Sequence, residues 1–337
     1  MPNVEEVNIR HFKKNANQLM IKKKPFQEIF NLYFHGKYSF EDFINTNVKD
    51  HITQHQFNQR TVLSVNKKLT EFHKFINVFV INKLDYDASV CFSYAKNTTV
   101  RNCLEPHKNN KYFLSTDISN FFGSIQSVDV MATIQHNINK GNIAITDIEQ
   151  YKDNIVKLMT FEGTLPLGFS SSGRLSNSIL LKFDQAVLSQ CKPQKITYSR
   201  YADDLIFSSN DTNIKQVKST VEDVLASMFN QQLKINHNKT KTYSKKSRVK
   251  ILGMVITPNG EITIDKKMKS NIESIMYFHI NNTDKFHSLL SAKFNGEIHK
   301  VFGIVSYINS VDKNFLNKLR KKYGNYTVDS FLRKSAK

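Results

Sequence analysis

Residues Ile196 to Ser209, ITYSRYADDLIFSS, set two adjacent carboxylates, Asp203 and Asp204, between two runs of apolar and β-branched residues. Ile196, Thr197 and Tyr198 on one side and Leu205, Ile206 and Phe207 on the other predict a β-hairpin with the two acids at its turn. Neighbouring carboxylates repel, and keeping both ionised between apolar strands costs free energy unless a divalent cation offsets the repulsion. The pattern fits a metal site. It fits equally a solvated Asp-Asp turn, because Asp is a good turn residue, so the choice rests on the rest of the chain.

The chain has 337 residues, enough for two or three subdomains with a large interior. Its 48 Lys and Arg exceed 29 Asp and Glu, and the net charge of +19 points to a polyanionic partner, nucleic acid first. No apolar run reaches the roughly 18 residues of a membrane span and the N-terminus lacks a signal-peptide pattern, so the expectation is a cytoplasmic protein with no membrane partner. Cys91, Cys103 and Cys191 have neither disulfide nor zinc spacing and read as buried thiols. The first hundred residues read as mostly helical, with basic patches at Lys13-Lys14 and Lys22-Lys23-Lys24 that are solvated faces or phosphate contacts. Phe26, Ile29, Phe30 and Tyr33 follow Pro25 at helical spacing. Arg60 opens a short strand, RTVLSVN, before the periodic run Leu69, Phe72, Phe75, Ile76, Phe79, Val80 of a long helix.

A third acid falls at the end of another strand. Tyr112 to Thr116 has strand character, and Asp117 sits where it should stop. Singly, Asp117 reads as an N-cap for a following helix; with the hairpin and the net charge, the three acids are the minimum set for holding two magnesium ions for phosphoryl chemistry. Between them, LPLGFSSSGRLSN from Leu165 to Asn177 is a loop feeding a helix, able to cradle a phosphate or a base pair through backbone N–H groups or to serve as an ordinary capped loop.

In this order the motifs resemble the reverse transcriptases, most closely the bacterial retron-type branch, over about residues 58 to 325. The anchors are FLSTDISNFF around Asp117, LPLGFSSSGRLSN, YADD at Tyr201 to Asp204, NHNKT at Asn236 to Thr240 and ILG at Ile251 to Gly253. The resemblance implies that Asp117, Asp203 and Asp204 hold two Mg2+ ions, with the carbonyl of Ile118 as a further ligand. Arg60 matches the arginine that meets the incoming triphosphate, and Phe122 the bulky residue against its sugar. Lys239 matches the lysine near the leaving pyrophosphate, and Gly253 the glycine of the hairpin under the primer end. Pro166 and Gly168 keep the template-grip loop, where Leu167 replaces the usual glutamine. Retron enzymes commonly show N-A-x-x-H and V-T-G motifs associated with RNA recognition. Here the matching stretches read Cys103-Leu104-Glu105-Pro106-His107 and Ile251-Leu252-Gly253, keeping only the His and the Gly; His107, taken without the family, reads as a packed or turn histidine.

Residues 265–337 carry 14 Lys or Arg against 6 Asp or Glu, and Phe294, Ile298, Val301, Phe302, Val305 and Ile308 recur at helical spacing, giving one packing face and one basic face. Lys318, Arg320, Lys321 and Lys322 are the candidate phosphate contacts. The expected architecture is α+β, a right-hand polymerase: N-terminal helices and fingers over 1–110, a palm with a small antiparallel sheet over 111–262 that includes a fingers segment near 130–160, and a helical thumb over 263–337. The implied partners are a structured non-coding RNA serving as template and primer, its DNA product, dNTPs and an effector protein of a defence system. A template-free or protein-primed polymerase, an RNA polymerase on the same palm and a catalytically silent RNA-binding scaffold are the alternative readings.

Overall fold

The computed structural model describes residues 23–57 and 60–334, so Lys13, Lys14 and Lys22 lie outside the described residues. The chain divides into two units, one of residues 1–95, 118–190 and 219–236, the other of residues 96–117, 191–218 and 237–337.

The first unit is mainly helical, and phenylalanine builds its centre. Helix Phe26–Phe34 starts directly after Pro25, and helix Lys67–Phe79 is capped by the Asn66 side chain, which accepts from Leu69 N at 3.0 Å. Their apolar stripes meet: Phe26 and Phe75 stack with centroids 5.4 Å apart, and Phe30 meets Phe75 edge-on at 5.3 Å. Phe43 and Phe72 join them, and all five rings are fully buried. Burial of each contributes roughly 1.5–3 kcal/mol, which outweighs the exposed Lys68–Asp42 ion pair that also links the helices of Phe72 and Phe43. The same unit carries the antiparallel hairpin of β1 (Ile52–Phe57) and β2 (Arg60–Val65), in which Phe57 pairs with Arg60 beside the tip.

The second unit holds two antiparallel sheets. Strands β3 (Tyr112–Asp117), β4 (Thr197–Tyr201), β5 (Asp204–Ser209) and β6 (Lys241–Ser244) form one in the order β4-β5-β3-β6. Residues Leu205 to Ser209 are all buried, so the centre of β5 is covered on both faces, and Tyr198 and Phe207 stack across the β4–β5 pair at 4.9 Å. Strands β7 (Val249–Ile251), β8 (Met254–Ile256) and β9 (Ile262–Ile264) form the other. Helices Lys266–Asn281, Thr283–Phe294, Ile298–Val311, Lys313–Tyr323 and Asn325–Lys334 follow. The apolar repeat from Phe294 to Ile308 belongs to two helices, not one: Asn295 and Gly296, at φ 55° and 74°, stop the first behind Phe294 before Ile298 opens the second. Buried Asp312 joins sheet to helices, accepting from Thr263 Oγ1 at 2.5 Å, Ile264 N at 3.2 Å and Phe315 N at 3.1 Å. Among the described residues no helix is long and apolar enough to cross a membrane, and all three cysteines are buried.

Candidate active site

Strand register brings the acids together. In the antiparallel β3–β5 pair the partner of Asp117 is Asp204. On the other edge of β3, Ser115 pairs with Lys241, and the same register continued two residues sets Lys239 beside Asp117. The contact is made: Lys239 Nζ lies 2.7 Å from Asp117 Oδ2, while the neighbouring pair Thr116 and Thr240 share a hydroxyl hydrogen bond of 2.7 Å. Asp117 therefore stands between a carboxylate on one strand and an ammonium beside the other. The Lys239 side chain is 57% exposed, so water screens the pair and its contribution to stability is small.

The hairpin turns through Ala202 and Asp203 alone, because Tyr201 already pairs with Asp204. Asp204 opens β5, one residue beyond the turn where the sequence sets it. Ala202 has φ 56°, a left-handed conformation that disfavours any residue with a Cβ, and Arg200 Nη1 donates to its carbonyl at 3.0 Å. Arg200 is fully buried on β4, so a guanidinium grips the turn that presents both acids. Further along β5, Asn110 Nδ2 donates to Ser208 Oγ at 2.7 Å and to Thr197 Oγ1 at 3.0 Å, locking β4 to β5. Ser208 Oγ also shares a hydrogen bond of 2.6 Å with His107 Nδ1, and the other ring nitrogen, Nε2, is buried without a partner. His107 is fully buried and its pKa is pushed down to about 3 by desolvation, so the ring is neutral.

The electrostatics call for a cation. Burial, then the charges of Asp203 and Asp117, push the Asp204 carboxyl up to about 6, against the opposing pull of Lys239. Asp117 Oδ1 is buried and has no hydrogen-bond partner. A hard carboxylate oxygen without a donor, inside a field of like charge, is what a divalent ion such as Mg2+ satisfies. Among the described residues no three acid, histidine or cysteine side chains converge on one point as they stand; the acids share a field while Lys239 occupies one Asp117 oxygen.

The other candidates fall as follows. Arg60 is exposed at the start of β2, Phe122 is half-buried in helix Phe121–Ser124 against Phe121 at 5.2 Å, and Gly168 lies in the Leu165–Asn177 loop, all three in the first unit. That loop packs on β2: Leu63 N donates to the Leu167 carbonyl at 2.8 Å, and a Cβ on Gly168, which has φ 115°, would collide with the Leu63 carbonyl oxygen. Gly168 thus has a packing reason in the fold, and the Leu167 contact uses main chain and is indifferent to the side chain there. Ile118 follows Asp117 in the first unit, its side chain buried and its backbone bridged to Ile235. In the second unit Gly253 forms the two-residue turn between β7 and β8 with Leu252 and borders a cavity of about 300 Å3. Lys318, Lys321 and Lys322 are exposed on helix Lys313–Tyr323, while Arg320 is held by Asp329 at 2.9 Å and Lys322 lies 3.6 Å from Glu273. Sequence reasoning missed Arg200, Thr240 and Ser208, which are polar residues inside strand or loop patterns with nothing local to mark them.

Residues 44–256 match the family described as reverse transcriptase (RNA-dependent DNA polymerase). The Retron Ec83 reverse transcriptase of Escherichia coli is 27% identical over 286 residues, covering 81% of this chain and 80% of that protein. The Retron Ec86 reverse transcriptase of Escherichia coli is 25% identical over 272 residues, covering 79% and 78%. Among solved structures, telomerase from Candida albicans in complex with the TWJ fragment of telomeric RNA aligns at a TM-score of 0.45 and 12% identity over 90% of this chain; the chain spans 64% of its length. The chain belongs to the reverse transcriptase family, the RNA-dependent DNA polymerases, similar to those of the retrons and with the α+β right-hand fold that its motifs lead one to expect.

Proposed function

We propose that this reverse transcriptase extends a primer on one dedicated, structured non-coding RNA, in the cytoplasm, as the polymerase of a bacterial retron antiphage system with an effector protein as partner. The observation that carries the chemistry is the placement of Asp117 between Asp204 and Lys239 with one buried oxygen unsatisfied. Asp117, Asp203 and Asp204, with the Ile118 carbonyl, would hold Mg2+. When bound, the two ions lower the pKa of the primer 3′-hydroxyl and neutralise the leaving pyrophosphate. Lys239, freed from Asp117, supplies positive charge near the pyrophosphate; Arg60 meets the triphosphate, and Phe122 lies against the sugar. Gly168 keeps the template-grip loop on its strand and Gly253 supports the primer end. Lys318, Arg320, Lys321 and Lys322 face phosphates, with Arg320 first giving up Asp329. In this reading 1–110 and the segment near 130–160 are fingers, the rest of 111–262 is palm and 263–337 is thumb.

A dedicated RNA is favoured by how the charge is spread. Residues 234–250 contain seven Lys or Arg and no Asp or Glu, in addition to the basic C-terminal helices, within a total of +19. Charge on several surfaces suits a folded RNA gripped through shape and phosphates, with affinity that falls steeply with salt. The test is Asp203→Asn in magnesium-dependent primer extension, together with sequencing of the RNA that copurifies at moderate salt. Loss of nearly all synthesis with RNA affinity close to wild type, and a single bound RNA preferred over an arbitrary primed template, are expected. Synthesis that persists in Asp203→Asn overturns the metal assignment. A mixed RNA pool with equal activity on both templates overturns the dedicated-template reading alone.

A further inference from the structure

Within the first unit a cavity of about 490 Å3 opens between two chain segments, Ile44 to Lys49 on one side and, on the other, the end of helix Ile148–Met159 with Thr160, Phe161 and Glu162. Hydrogen bonds set its frame. Asn154 Nδ2 donates to the Ile44 carbonyl at 3.1 Å, and Phe161 and Thr164 exchange backbone bonds of 2.9 and 3.0 Å across the two-residue turn Glu162-Gly163. That turn is itself anchored, since the Gly163 carbonyl accepts from Ser127 N at 2.8 Å. None of the residues given a part in catalysis or in holding template, primer or triphosphate borders this cavity.

What borders it is charged and unpaired. Lys49 and Lys157 are exposed and have no acid partner among the described residues, and the exposed Glu162 carboxylate on the same cavity has no hydrogen bond or ion pair among them either. Two ammoniums repel, and a carboxylate that touches neither leaves the repulsion in place; an anion between them removes it. Amide donors stand beside the lysines: the Asn45 side chain has no partner among the described residues, and Asn47 uses only Oδ1, which accepts from Lys49 N at 3.3 Å. Glu162 is placed at a cost. It has φ 49° and Gly163 φ 75°, the geometry of a two-residue turn that favours Asn or Asp before Gly. No contact of the glutamate side chain within the described residues offsets that cost, which turns the search for its use to a ligand. Phe161, half-buried just before it, borders the same cavity and meets no other ring among the described residues.

We infer that this cavity is a nucleotide site, taking one nucleotide whose phosphate lies between Lys49 and Lys157, whose base stacks on Phe161 and whose exocyclic amino group donates to Glu162. The ligand class follows from the lining. An anionic group, a flat ring and an N–H donor in one molecule are the features of a nucleotide, and about 490 Å3 lies within the roughly 300–1,000 Å3 of ordinary ligand sites. An ionised carboxylate only accepts hydrogen bonds, so cytosine, adenine and guanine, which carry amino groups, suit it. Uracil sets two carbonyl oxygens around its single N–H and does not. A free nucleotide and an unpaired nucleotide of a bound RNA share this chemistry. The inference depends on neither the metal assignment nor the dedicated-template reading.

The test separates the two sources. Full-length wild type, Lys157→Ala, Glu162→Gln, Glu162→Gly and Asp203→Asn are titrated by calorimetry with AMP, CMP, GMP, UMP and inorganic phosphate in EDTA, where no divalent ion supports binding at the acids. For a free-nucleotide site, AMP, CMP and GMP should bind more tightly than UMP and inorganic phosphate. Lys157→Ala should weaken the nucleotides roughly 10- to 100-fold, as expected for losing one hydrogen bond between charged groups. Glu162→Gln, whose amide donates as well as accepts, should erase the discrimination against UMP. Glu162→Gly should erase it too while unfolding at equal or higher urea concentration, an outcome that a structural role for the glutamate does not give. Asp203→Asn should bind as wild type does, so the site stands or falls apart from the metal reading. For a site filled by RNA, Lys157→Ala should lower affinity for the copurifying RNA by the same factor, and ultraviolet crosslinking with mass spectrometry should place a nucleotide other than uridine on Phe161. UMP or inorganic phosphate binding as tightly as CMP overturns the assignment. So does affinity for both nucleotides and RNA that is unchanged in Lys157→Ala and Glu162→Gln.

Discussion

Acidification should loosen the strand that carries Asp204, through His107. In the folded chain its pKa falls from 6.5 to about 3, and burial is the cause. An unfolded chain exposes the ring to water and binds a proton as pH drops through 6.5; the native state does not. Stability is therefore full above pH 6.5, and is lost progressively as pH falls toward the folded value near 3. At pH 5.0 the unfolded ring lies one and a half pH units below its pKa, so at about 1.4 kcal/mol per unit the loss relative to pH 7.5 is roughly 2 kcal/mol. This figure does not depend on how deep the folded pKa lies, provided it stays below about 4.

The perturbation is His107→Phe, which fills the space and cannot titrate. At pH 7.5 the variant gives up the 2.6 Å bond to Ser208, although Asn110 still donates to that hydroxyl, and should lose about 1 kcal/mol. Between pH 7.5 and 5.0 it should lose about 2 kcal/mol less than the wild type, so the two stability curves cross in mildly acid solution. Urea unfolding at both pH values, followed by tyrosine fluorescence and by far-UV circular dichroism, reads the difference directly. His73 in the other unit, lowered to about 4 chiefly by burial and donating to the Leu158 carbonyl at 2.9 Å, supplies a similar loss that His107→Phe leaves in place. Equal acid sensitivity of wild type and His107→Phe, within about 0.5 kcal/mol, would refute the reasoning, since it would mean that the ring takes up its proton without unfolding.

Two further outcomes follow from single positions. Phe122→Ala should admit ribonucleotides that the parent rejects, because the ring assigned to the sugar leaves no room for a 2′-hydroxyl; an unchanged dNTP/rNTP preference in primer extension would count against that assignment. Leu252→Asn should stabilise the fold by about 0.5–1 kcal/mol, because Leu252 (φ 51°) and Gly253 (φ 75°) form a two-residue turn that favours Asn-Gly, and a urea midpoint that falls would show that the leucine side chain contributes more than its backbone costs.

Much of the second unit's sheet was legible because local pattern and tertiary role agree there. Apolar and β-branched residues on both sides of Asp203-Asp204 specify strands, and Asp117 ends its strand where the apolar run stops. The pairing was not legible. Which residue of β6 lies beside Asp117 depends on a register set across more than a hundred residues, and no local feature marks Lys239 as the partner. Arg200 was missed for a related reason: in the run SRY it reads as the polar face of a half-exposed strand, whereas it is fully buried and its hydrogen bond runs to the turn. The break behind Phe294 did have a signal, the dipeptide Asn295-Gly296, which the strength of the apolar repeat outweighed.

The site is thus a property of register more than of residue types. Side chains alternate across a sheet, so a slip of β3 by one residue would turn Asp117 to the opposite face and put Thr116 in its place beside Asp204. Apolar burial alone guards weakly against that slip in β5, where Leu205, Ile206 and Phe207 are buried on both faces and each would stay buried after it. The polar contacts on either side of the acids are what specify the pairing. On the β6 side, the Thr116–Thr240 hydroxyl bond exists in one register only; on the β5 side, Ser208 is fixed by Asn110 and His107, and Asn110 also reaches Thr197 on β4. Each is a buried or half-buried polar group that would lose its partner on slipping, at about 1–3 kcal/mol apiece. Residues with no chemistry of their own therefore hold Asp117 opposite Asp204, and because burial keeps His107 neutral in the fold, the cost of protonating it ties that packing to pH.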